Sequence, residues 1–420
     1  MPIKITTFGC RLNTYESEVI KTFFKDCEDI KEKEIVIFNS CAVTSEAEKQ
    51  LRQAIRKTKK ENPNTIIGVV GCAVQVNPEI YRKMPEVSFI FGNREKMNRE
   101  NYNNLGLEKN EKNIIVGNIF ELTNLSPQFI TGFEERTRAF IQIQNGCDNF
   151  CTFCATRLAR GKSSSIPSKN IIEQINKLIE NNYNEIVLTG VDIADYGRRL
   201  DENINLGKLI KKILSETDLK RLRLSSIDIA DVNEDLKEVL FNENRLMPHI
   251  HISLQSGDND ILKKMNRRHT REEVINFCNE IRKHRNNLSI GADLIAGFPT
   301  ETEEMHRNSL NLIDEINLTF GHIFPYSIRE GTVAAKMPQI DMNIRRLRAK
   351  ELRESAENQL KKFIKKQRDK KHRILIENDS IGRTENYLMV KLNKNIFKKN
   401  KIGDIFELIV DEKDFIIRSN

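Results

Sequence analysis

The chain has 420 residues, of which 39% are hydrophobic and 30% charged, and its formal net charge is +8. This balance excludes wholesale disorder and is sufficient for two or three packed domains. No run approaches the roughly 18 consecutive apolar residues of a membrane-spanning helix. The first residues also lack the apolar core of a signal peptide, so we expect a cytoplasmic protein with no membrane partner.

Three strand-like apolar runs open the chain, and one cysteine follows each of them. The runs cover residues 3–7, 35–38 and 66–70, and the cysteines are Cys10, Cys41 and Cys72. The segments between the runs read as helices, because apolar residues recur there every four positions. Strands that alternate with helices form a parallel sheet, whose carboxyl ends meet at one edge. We therefore predict an N-terminal parallel α/β domain over residues 1–130 in which the three cysteines come together.

After a polar connection over residues 98–135, a second series of strands and helices begins. Its six strand-like runs are 140–143, 185–188, 222–224, 250–254, 290–295 and 322–324. Six βα units are two short of a closed eight-stranded barrel. The pattern predicts an open, partial (β/α)6 barrel over residues 135–330, with a functional site at the carboxyl ends of its strands.

The C-terminal part of the chain is basic. From Gly331 onward, lysine and arginine outnumber aspartate and glutamate by 22 to 13. Residues 344–371 read as a basic helix within a connector over 331–371, and the short strand-like runs after it are 373–377, 387–392, 405–410 and 415–418. Closely spaced short strands predict a small β-barrel over residues 372–420. The positive charge suggests a polyanionic partner, although a solvated helix face gives the same pattern.

The strongest chemical signal is a CxxxCxxC loop after the first barrel strand, formed by Cys147, Cys151 and Cys154. Cysteines in a reducing compartment bind metals more often than they form disulfides. Three thiolates so close together can hold three irons of a 4Fe-4S cluster and leave the fourth iron open. A structural zinc would need a fourth ligand, and no other Cys or His lies nearby. Cys27 and Cys278 lie in helix-like segments, where we interpret them as small apolar residues.

CxxxCxxC is the signature of radical S-adenosylmethionine enzymes, and this loop closely resembles theirs. The resemblance implies that the open iron binds S-adenosylmethionine and that a cluster electron cleaves it to a hydrogen-abstracting radical. It also implies a cofactor pocket formed by Phe153, Gly190, Ser226, Gln255 and Asp293. Each residue alone has an ordinary explanation, such as a turn at Gly190 or a helix cap at Ser226. These residues lie beside the loop or at the ends of successive strands, in chain order, and this arrangement favours a cofactor pocket.

Almost the whole chain resembles the methylthiotransferases among these enzymes. TFGCRLNTYESE (7–18) and NSCAVTSEAE (39–48) are similar to the branch that acts on N6-threonylcarbamoyladenosine next to the anticodon of tRNA. The resemblance implies that Cys10, Cys41 and Cys72 hold a second 4Fe-4S cluster, which carries the sulfur to be inserted. It also implies an RNA-binding TRAM domain at 372–420. The implied partners are the tRNA anticodon stem-loop, an electron donor and a sulfur donor, with no DNA.

The threonylcarbamoyl group of that substrate carries a carboxylate, which needs a cationic partner. An unpaired buried carboxylate is costly, and a bidentate arginine suits it best. The candidates are Arg11, Arg157 and Arg160, and phosphate binding is the alternative for each of them. The segment Ala155-Thr156-Arg157-Leu158 departs from the family, which has a Pro-aromatic pair here. We expect this departure to alter the fit of the substrate rather than the radical chemistry. We expect no catalytic residue beyond the cluster ligands.

Three other functions remain open at this point. The same chemistry could act on isopentenyladenosine in tRNA or on an aspartate of a ribosomal protein. Those branches typically have Gln-Met-Asn or Pro-Lys-Asn after the first cysteine, where this chain has Arg11-Leu12-Asn13. The third alternative is a non-catalytic RNA-binding protein that contains clusters, and the intact cysteines and strand-end residues argue against it.

Overall fold

The computed structural model of the chain describes residues 3–24, 34–103, 105, 113–121, 125, 127–134 and 136–417. Cys27 and Arg418, the last residue of the final predicted strand, lie outside these ranges. Within them the chain is a mixed α/β protein with parallel sheets, as predicted. Helices long and apolar enough to cross a membrane are absent from this described part.

The N-terminal sheet has five parallel strands in chain order, two more than the sequence predicts. Its strands are β1 (Lys4–Thr7), β2 (Ile35–Ser40), β3 (Ile66–Gly71), β4 (Phe89–Phe91) and β5 (Asn113–Ile115). Its helices are α1 (Arg11–Phe23), α2 (Ser45–Glu61), α3 (Cys72–Val76) and α4 (Pro78–Arg82). Every residue of β2 and β3 is buried, which is typical of parallel strands covered on both faces. The two additional strands have three residues each, too few for a periodic sequence signal.

The central region is an open barrel of parallel strands, accompanied by one two-stranded antiparallel sheet, β7-β8. Its strands are β6 (Arg138–Gln142), β7 (Gln144–Asn145), β8 (Ser164–Ser165), β9 (Glu185–Thr189), β10 (Arg221–Leu224), β11 (Ser226–Ile227), β12 (His249–Gln255), β13 (Ser289–Ala296) and β14 (Phe320–Pro325). Its helices are α5 (Thr156–Arg160), α6 (Ser168–Glu180), α7 (Leu206–Glu216), α8 (Glu234–Asn242), α9 (Asn259–Lys264), α10 (Arg271–His284) and α11 (Glu303–Glu315). Cys278 is buried in α10 among core side chains.

The six predicted barrel strands are all present and parallel, but the third is broken at Ser225. The part before the break, β10, pairs with β9, and the part after it, β11, pairs with β12. The strands therefore form two sheets, β6-β9-β10 and β11-β12-β13-β14. No ladder between described residues joins β6 to β14, which agrees with the predicted open barrel.

A long basic helix, α12 (Met342–Gln367), connects the barrel to an antiparallel C-terminal sheet. The strands of that sheet are β15 (Lys370–Ile376), β16 (Ile381–Thr384), β17 (Met389–Lys391), β18 (Ile405–Val410) and β19 (Phe415–Ile416). The helix ends four residues before the predicted end at 371, because the chain turns at Asp369 in a left-handed conformation (φ +57°). The sheet order is β18-β15-β16-β17-β19, and no ladder among the described residues joins its two edges. The expected small barrel is therefore not confirmed as a closed one.

Candidate cluster and cofactor site

The loop with Cys147, Cys151 and Cys154 is anchored to the barrel on both sides. The Thr152 N–H donates to the carbonyl of Met265 (3.1 Å), and its hydroxyl donates to that of Lys264 (2.8 Å). The Thr152 carbonyl accepts from the Ala334 N–H (2.9 Å). These three hydrogen bonds fix the centre of the loop to the end of α9 and to Ala334, and so hold the cysteines on either side of Thr152.

Each cysteine of this loop accepts a hydrogen bond at sulfur. The backbone N–H groups of Asn149 and Thr156 donate to Cys147 and Cys154, each at 3.3 Å, and Arg267 Nη1 donates to Cys151 Sγ at 3.4 Å. Hydrogen bonds to sulfur stabilise thiolate ligands and tune iron–sulfur clusters. Burial raises the pKa of Cys147 to about 12, so coordination by a metal is what would remove its proton. Three partly buried thiols with N–H donors on their sulfurs fit a 4Fe-4S cluster.

Cys10, Cys41 and Cys72 lie at the carboxyl ends of β1, β2 and β3, as the strand pattern predicts. The Val43 N–H donates to Cys41 Sγ and Asn93 Nδ2 donates to Cys72 Sγ, both at 3.4 Å. Burial raises the pKa of Cys41 to about 11, and the neighbouring thiols of Cys72 and Cys10 add to the shift. The three cysteines therefore lie at neighbouring strand ends of one parallel sheet, as the sequence predicts.

A glycine beside the first cysteine makes this cluster of thiols possible. Gly9 has φ +102°, a conformation that favours glycine, and a Cβ on it would lie 2.9 Å from Cys41 Sγ. Any larger residue would therefore fill the space in front of Cys41. The same three-cysteine donor chemistry as in the first group fits a second 4Fe-4S cluster.

The two cysteine groups are held close to each other by Arg160. This residue ends α5, which follows the CxxxCxxC loop and packs against α3, the helix that begins at Cys72. Arg160 is only 5% exposed and donates to both carboxylate oxygens of Glu16 (2.8 and 3.0 Å) and to Asn13 Oδ1 (2.6 Å). Lys96 completes the buried pair from the other side, with its Nζ 2.6 Å from Glu16. These contacts join the N-terminal domain to the barrel between the two groups of thiols.

Gly190, the proposed cofactor residue that follows β9, lies in a backbone turn packed against Gln144. A Cβ on Gly190 would lie 2.8 Å from the Gln144 carbonyl oxygen, so only glycine fits there without displacing the backbone. Gln144 Oε1 accepts from the N–H groups of Val191 and Asp192 at 3.0 and 2.9 Å. Phe153 packs edge-on against Phe298, with ring centroids 6.5 Å apart.

Ser226, Gln255 and Asp293 lie on neighbouring strands of the barrel. Ser226 opens β11 opposite His251 of β12. Gln255 ends β12 with φ +71°, next to a register shift, and such strained backbone clusters at ligand sites. Asp293 accepts from His251 Nε2 (3.2 Å) and His322 Nδ1 (3.4 Å), and these bonds hold its pKa below the usual range although burial opposes this.

Three carboxylates lie beside the CxxxCxxC loop, and one of them is short of partners. Burial, together with the nearby charges of Asp228 and Asp231, raises the pKa of Asp192 to about 7. Asp192 Oδ2 accepts from Asn149 Nδ2 (3.0 Å), while its buried Oδ1 has no partner among the described residues. A free, buried carboxylate oxygen at the mouth of the barrel can accept a hydrogen bond from a bound ligand.

The other two candidate arginines lie in different surroundings. Arg157 donates to the Cys147 carbonyl (3.1 Å), and its guanidinium lies 4.1 Å from the centre of the Phe150 ring. Arg11 donates to the hydroxyl of Tyr387 (3.3 Å) in the C-terminal sheet. Both are only partly buried, in contrast to Arg160.

Several residues of this site were missed from the sequence, chiefly Asn93, Arg267, Glu16 and Tyr387. Asn93 could have been found, because it follows the apolar run Phe89–Phe91 as the cysteines follow the earlier strands. The others are polar residues inside helices or turns, and no local pattern marks their long-range contacts.

Comparisons with known proteins agree with this geometry. A model described as the Radical SAM superfamily matches residues 141–313, and one described as uncharacterized protein family UPF0004 matches residues 2–92. The chain is 47% identical to the threonylcarbamoyladenosine tRNA methylthiotransferase MtaB of Rickettsia prowazekii, over 98% of this chain and 96% of that protein. It is 31% identical to the tRNA-2-methylthio-N(6)-dimethylallyladenosine synthase of Clostridium tetani, over 96% and 92% of the two chains.

Among solved structures, the radical S-adenosylmethionine methyltransferase TsrM from Kitasatospora setae, solved with cobalamin and a [4Fe-4S] cluster bound, shares the fold. The TM-score is 0.55 at 12% sequence identity, and the match covers 80% of this chain and 77% of that one. The full-length identity to MtaB confirms the resemblance on which the sequence interpretation rests. The chain belongs to the threonylcarbamoyladenosine tRNA methylthiotransferases, a family within the radical SAM superfamily.

Proposed function

We propose that this protein converts N6-threonylcarbamoyladenosine, next to the anticodon of tRNA, to its 2-methylthio derivative. The observation that carries the proposal is the buried Arg160–Glu16 contact, which joins the helix that follows Cys10 to the helix that follows Cys154. The name of the relative at 47% identity supports the choice of substrate. Methylthiolation needs a radical to be generated and a sulfur to be delivered, and two adjacent sites divide these tasks.

Each group of thiols is suited to a 4Fe-4S cluster with one open iron. Cys147, Cys151 and Cys154 would hold the first cluster, and the second would be held by Cys10, Cys41 and Cys72. When bound, the first cluster would supply the electron for cleavage of S-adenosylmethionine and hydrogen abstraction at C2 of the purine, and the second would supply the sulfur that replaces that hydrogen. Arg267 and Asn93 donate to one sulfur in each group and so stabilise its negative charge.

The barrel mouth supplies the cofactor pocket. Gly190 lets the turn after β9 pack closely against Gln144, and Gln255 lies at a strained backbone position at the end of β12. Together with Phe153, Ser226 and Asp293, these residues would orient S-adenosylmethionine beside the CxxxCxxC loop. Because productive cleavage depends on position, their main contribution is orientation and exclusion of water.

The carboxylate of the threonylcarbamoyl group needs an arginine with free donors. The guanidinium of Arg160 is buried and already bonded to Glu16, Asn13 and Asn145, so its geometry favours a role in joining the domains. Arg157 and Arg11 are more open, and either could form a bidentate pair with a carboxylate. Of the two, Arg11 directly follows a cysteine of the sulfur-carrying group.

The C-terminal regions would bind the anticodon stem-loop. We assign residues 1–130 to the second cluster, 135–330 to the radical barrel, 331–371 to a basic connector and 372–420 to a TRAM-like RNA-binding domain. Helix α12 exposes Lys361, Lys362, Lys365 and Lys366, and lysines that neutralise phosphates release counterions.

An electron donor and a sulfur donor in the cytoplasm would complete the cycle, and we expect no DNA partner.

The test is a competition between two anticodon stem-loops, incubated with the reduced, reconstituted protein and S-adenosylmethionine. One carries threonylcarbamoyladenosine and the other isopentenyladenosine, and both nucleosides are followed by mass spectrometry. We expect methylthiolation of the first only. Preference for the isopentenyl form would assign the enzyme to the other tRNA branch, and 5′-deoxyadenosine release without either product would point to a different substrate.

A further inference from the structure

Tyr387 is a strained residue at the tip of the turn between β16 and β17. Its φ is +74°, a conformation that is unusual for an aromatic residue. The turn is closed by the Thr384 N–H donating to the Leu388 carbonyl (2.9 Å) and by the Tyr387 N–H donating to the Thr384 carbonyl (3.1 Å). Strain of this kind persists only where the surroundings hold it, and it is concentrated at functional sites.

This turn docks on the amino-terminal ends of the barrel strands. Arg223 of β10 donates to the carbonyls of Glu385 and Thr384, both at 2.9 Å. Ser289, the first residue of β13, donates to the carbonyl of Asn386 (2.7 Å). The C-terminal sheet therefore contacts the barrel directly through this turn.

The ring of Tyr387 is contacted by side chains of the barrel and by Arg383 of β16. It stacks on His249 of β12, with ring centroids 4.5 Å apart and planes within 7°. The guanidinium groups of Arg383, Arg223 and Arg138 lie 4.4, 5.1 and 5.4 Å from its centroid. Cations at these distances are attracted to the aromatic face, so the ring is fixed inside the barrel.

The arginines around this ring differ in their partners. Arg223 pairs with Glu185 (2.7 Å), while Arg138 and Arg383 pair with Glu377 (3.0 and 2.6 Å). Arg11, by contrast, forms no ion pair with any described carboxylate, and its side-chain hydrogen bond goes to the Tyr387 hydroxyl. Although burial opposes it, the charges of Arg138, Arg11 and Arg383 lower the pKa of Tyr387 to about 7. A hydrogen bond from Arg138 contributes to the same shift, so the phenol oxygen is an acceptor that Arg11 and Arg138 share.

One hydrogen bond to Tyr387 leaves most of the Arg11 donors free. A guanidinium has five N–H donors, and a carboxylate needs two of them for a bidentate pair. Without the phenol, a long side chain beside Cys10 would have to lose its rotamer freedom when substrate binds. The contact also joins the N-terminal domain, the barrel and the C-terminal sheet at one side chain.

We propose that Tyr387 is a specificity-determining positioning residue, which holds Arg11 in the barrel so that its guanidinium pairs with the carboxylate of the threonylcarbamoyl group. This proposal rests on the proposed function and adds the residue that sets its selectivity for an acidic substituent. It gives the C-terminal sheet a role in substrate choice besides RNA affinity.

The experiment compares two stem-loops with the full-length, reconstituted enzyme. One carries threonylcarbamoyladenosine, and the other carries the same group with its carboxylate replaced by a carboxamide. We expect the wild type to prefer the carboxylate and Arg11→Ala to lose this preference. Tyr387→Phe keeps the ring and removes the hydroxyl, and we expect it to reduce the preference about tenfold, through KM for the carboxylate substrate, as loss of a hydrogen bond to a charged group does.

Ser289→Ala is the matched control, because it removes the hydrogen bonds of Ser289 to the Asn386 carbonyl and to His249 Nδ1 and leaves the phenol intact. It should keep the wild-type preference. Wild-type preference in Tyr387→Phe or in Arg11→Ala would overturn the inference, as would an equal loss in Ser289→Ala, which would indicate docking alone. If the wild type methylthiolates neither stem-loop, the proposed function itself fails.

Discussion

Cys147, Cys151 and Cys154 lie in one short loop, whereas Cys10, Cys41 and Cys72 come from the ends of three strands. The loop is fixed at Thr152 by three hydrogen bonds to residues that are distant in sequence, but its cysteines are neighbours in the chain. The N-terminal group exists only because a parallel sheet brings distant strand ends together. The first group can therefore be recognised from spacing alone, while the second requires a correct topology. Because different elements position the two groups, we expect that the cysteines of one group can be replaced without disrupting the elements that position the other.

Replacing Cys147, Cys151 and Cys154 with Ala gives the largest expected effect. Radical generation needs this loop, so cleavage of S-adenosylmethionine should be abolished. Iron should fall from about eight atoms per chain to about four, as expected for the loss of one of two 4Fe-4S clusters. The measurements are iron analysis and 5′-deoxyadenosine release after anaerobic reconstitution. Full iron content in this variant would show that the loop holds no cluster.

Replacing Cys10, Cys41 and Cys72 with Ala should have the complementary effect. Iron should again fall by half, but 5′-deoxyadenosine should still form, because the radical loop is intact. Methylthiolated nucleoside should be absent, since the sulfur-carrying site is lost. Cys278→Ala, which alters a buried core cysteine, is the control and should keep both iron and product. Product formation by the triple variant would remove the N-terminal group from the mechanism.

Glu16→Gln tests the contact that joins the two groups. The variant leaves the buried cations Arg160 and Lys96 without their carboxylate. Breaking a buried ion pair by removing one partner costs about 3–5 kcal/mol, so we expect a comparable loss in the free energy of unfolding. Glu79→Gln breaks an exposed pair with Arg82 and should change stability by no more than about 1 kcal/mol. Equal effects of the two substitutions, by chemical denaturation, would contradict a structural role for Glu16.

The same contact predicts a pH dependence of stability. Although burial opposes it, Arg160 and Lys96 lower the pKa of Glu16 from 4.5 to about 2. A carboxylate with a lowered pKa in the folded state stabilises the protein above its unfolded pKa, and this contribution is lost as the pH falls. Wild-type stability should therefore decline between pH 4.5 and 2 more steeply than that of Glu16→Gln. Parallel pH profiles for the two proteins would exclude this linkage.

The smallest expected effect concerns RNA affinity. Replacing Lys361, Lys362 and Lys365 of α12 with Ala should weaken tRNA binding and reduce the salt slope by about one unit for each phosphate that these lysines neutralise. Cleavage of S-adenosylmethionine without tRNA should persist, because these exposed lysines lie outside the cofactor site. The matched control replaces Arg56, Lys57 and Lys60, exposed cations of α2. An unchanged salt slope in the α12 variant would place the RNA surface elsewhere.

The two cysteine groups also differ in how much of their surroundings can be predicted from the sequence. Strands with continuous apolar runs, such as β2 and β3, were predicted because burial on both faces leaves a strong signal. The short strands β4 and β5 were missed, and so was Asn93 after β4. Contacts that join domains, such as Arg160–Glu16 and Arg11–Tyr387, could not be predicted, because they link residues 144 and 376 positions apart without a local pattern.

The C-terminal region shows the same limit. The basic helix was predicted from composition, yet its end at Gln367 depends on the left-handed turn at Asp369. The docking of residues 384–388 on the barrel depends on Arg223 and Ser289, whose side chains meet backbone carbonyls. Backbone acceptors carry no sequence signature, so such interfaces require a three-dimensional structure.

The central claim is that this protein makes 2-methylthio-N6-threonylcarbamoyladenosine in tRNA. The most direct test is mass spectrometry of tRNA nucleosides from a strain that lacks the gene, compared with the same strain carrying the wild-type gene or its Cys10/Cys41/Cys72→Ala variant. We expect the methylthio derivative to disappear, N6-threonylcarbamoyladenosine to accumulate, and only the wild-type gene to restore the product. An unchanged level of the methylthio derivative, or a loss of 2-methylthio-isopentenyladenosine instead, would contradict the claim.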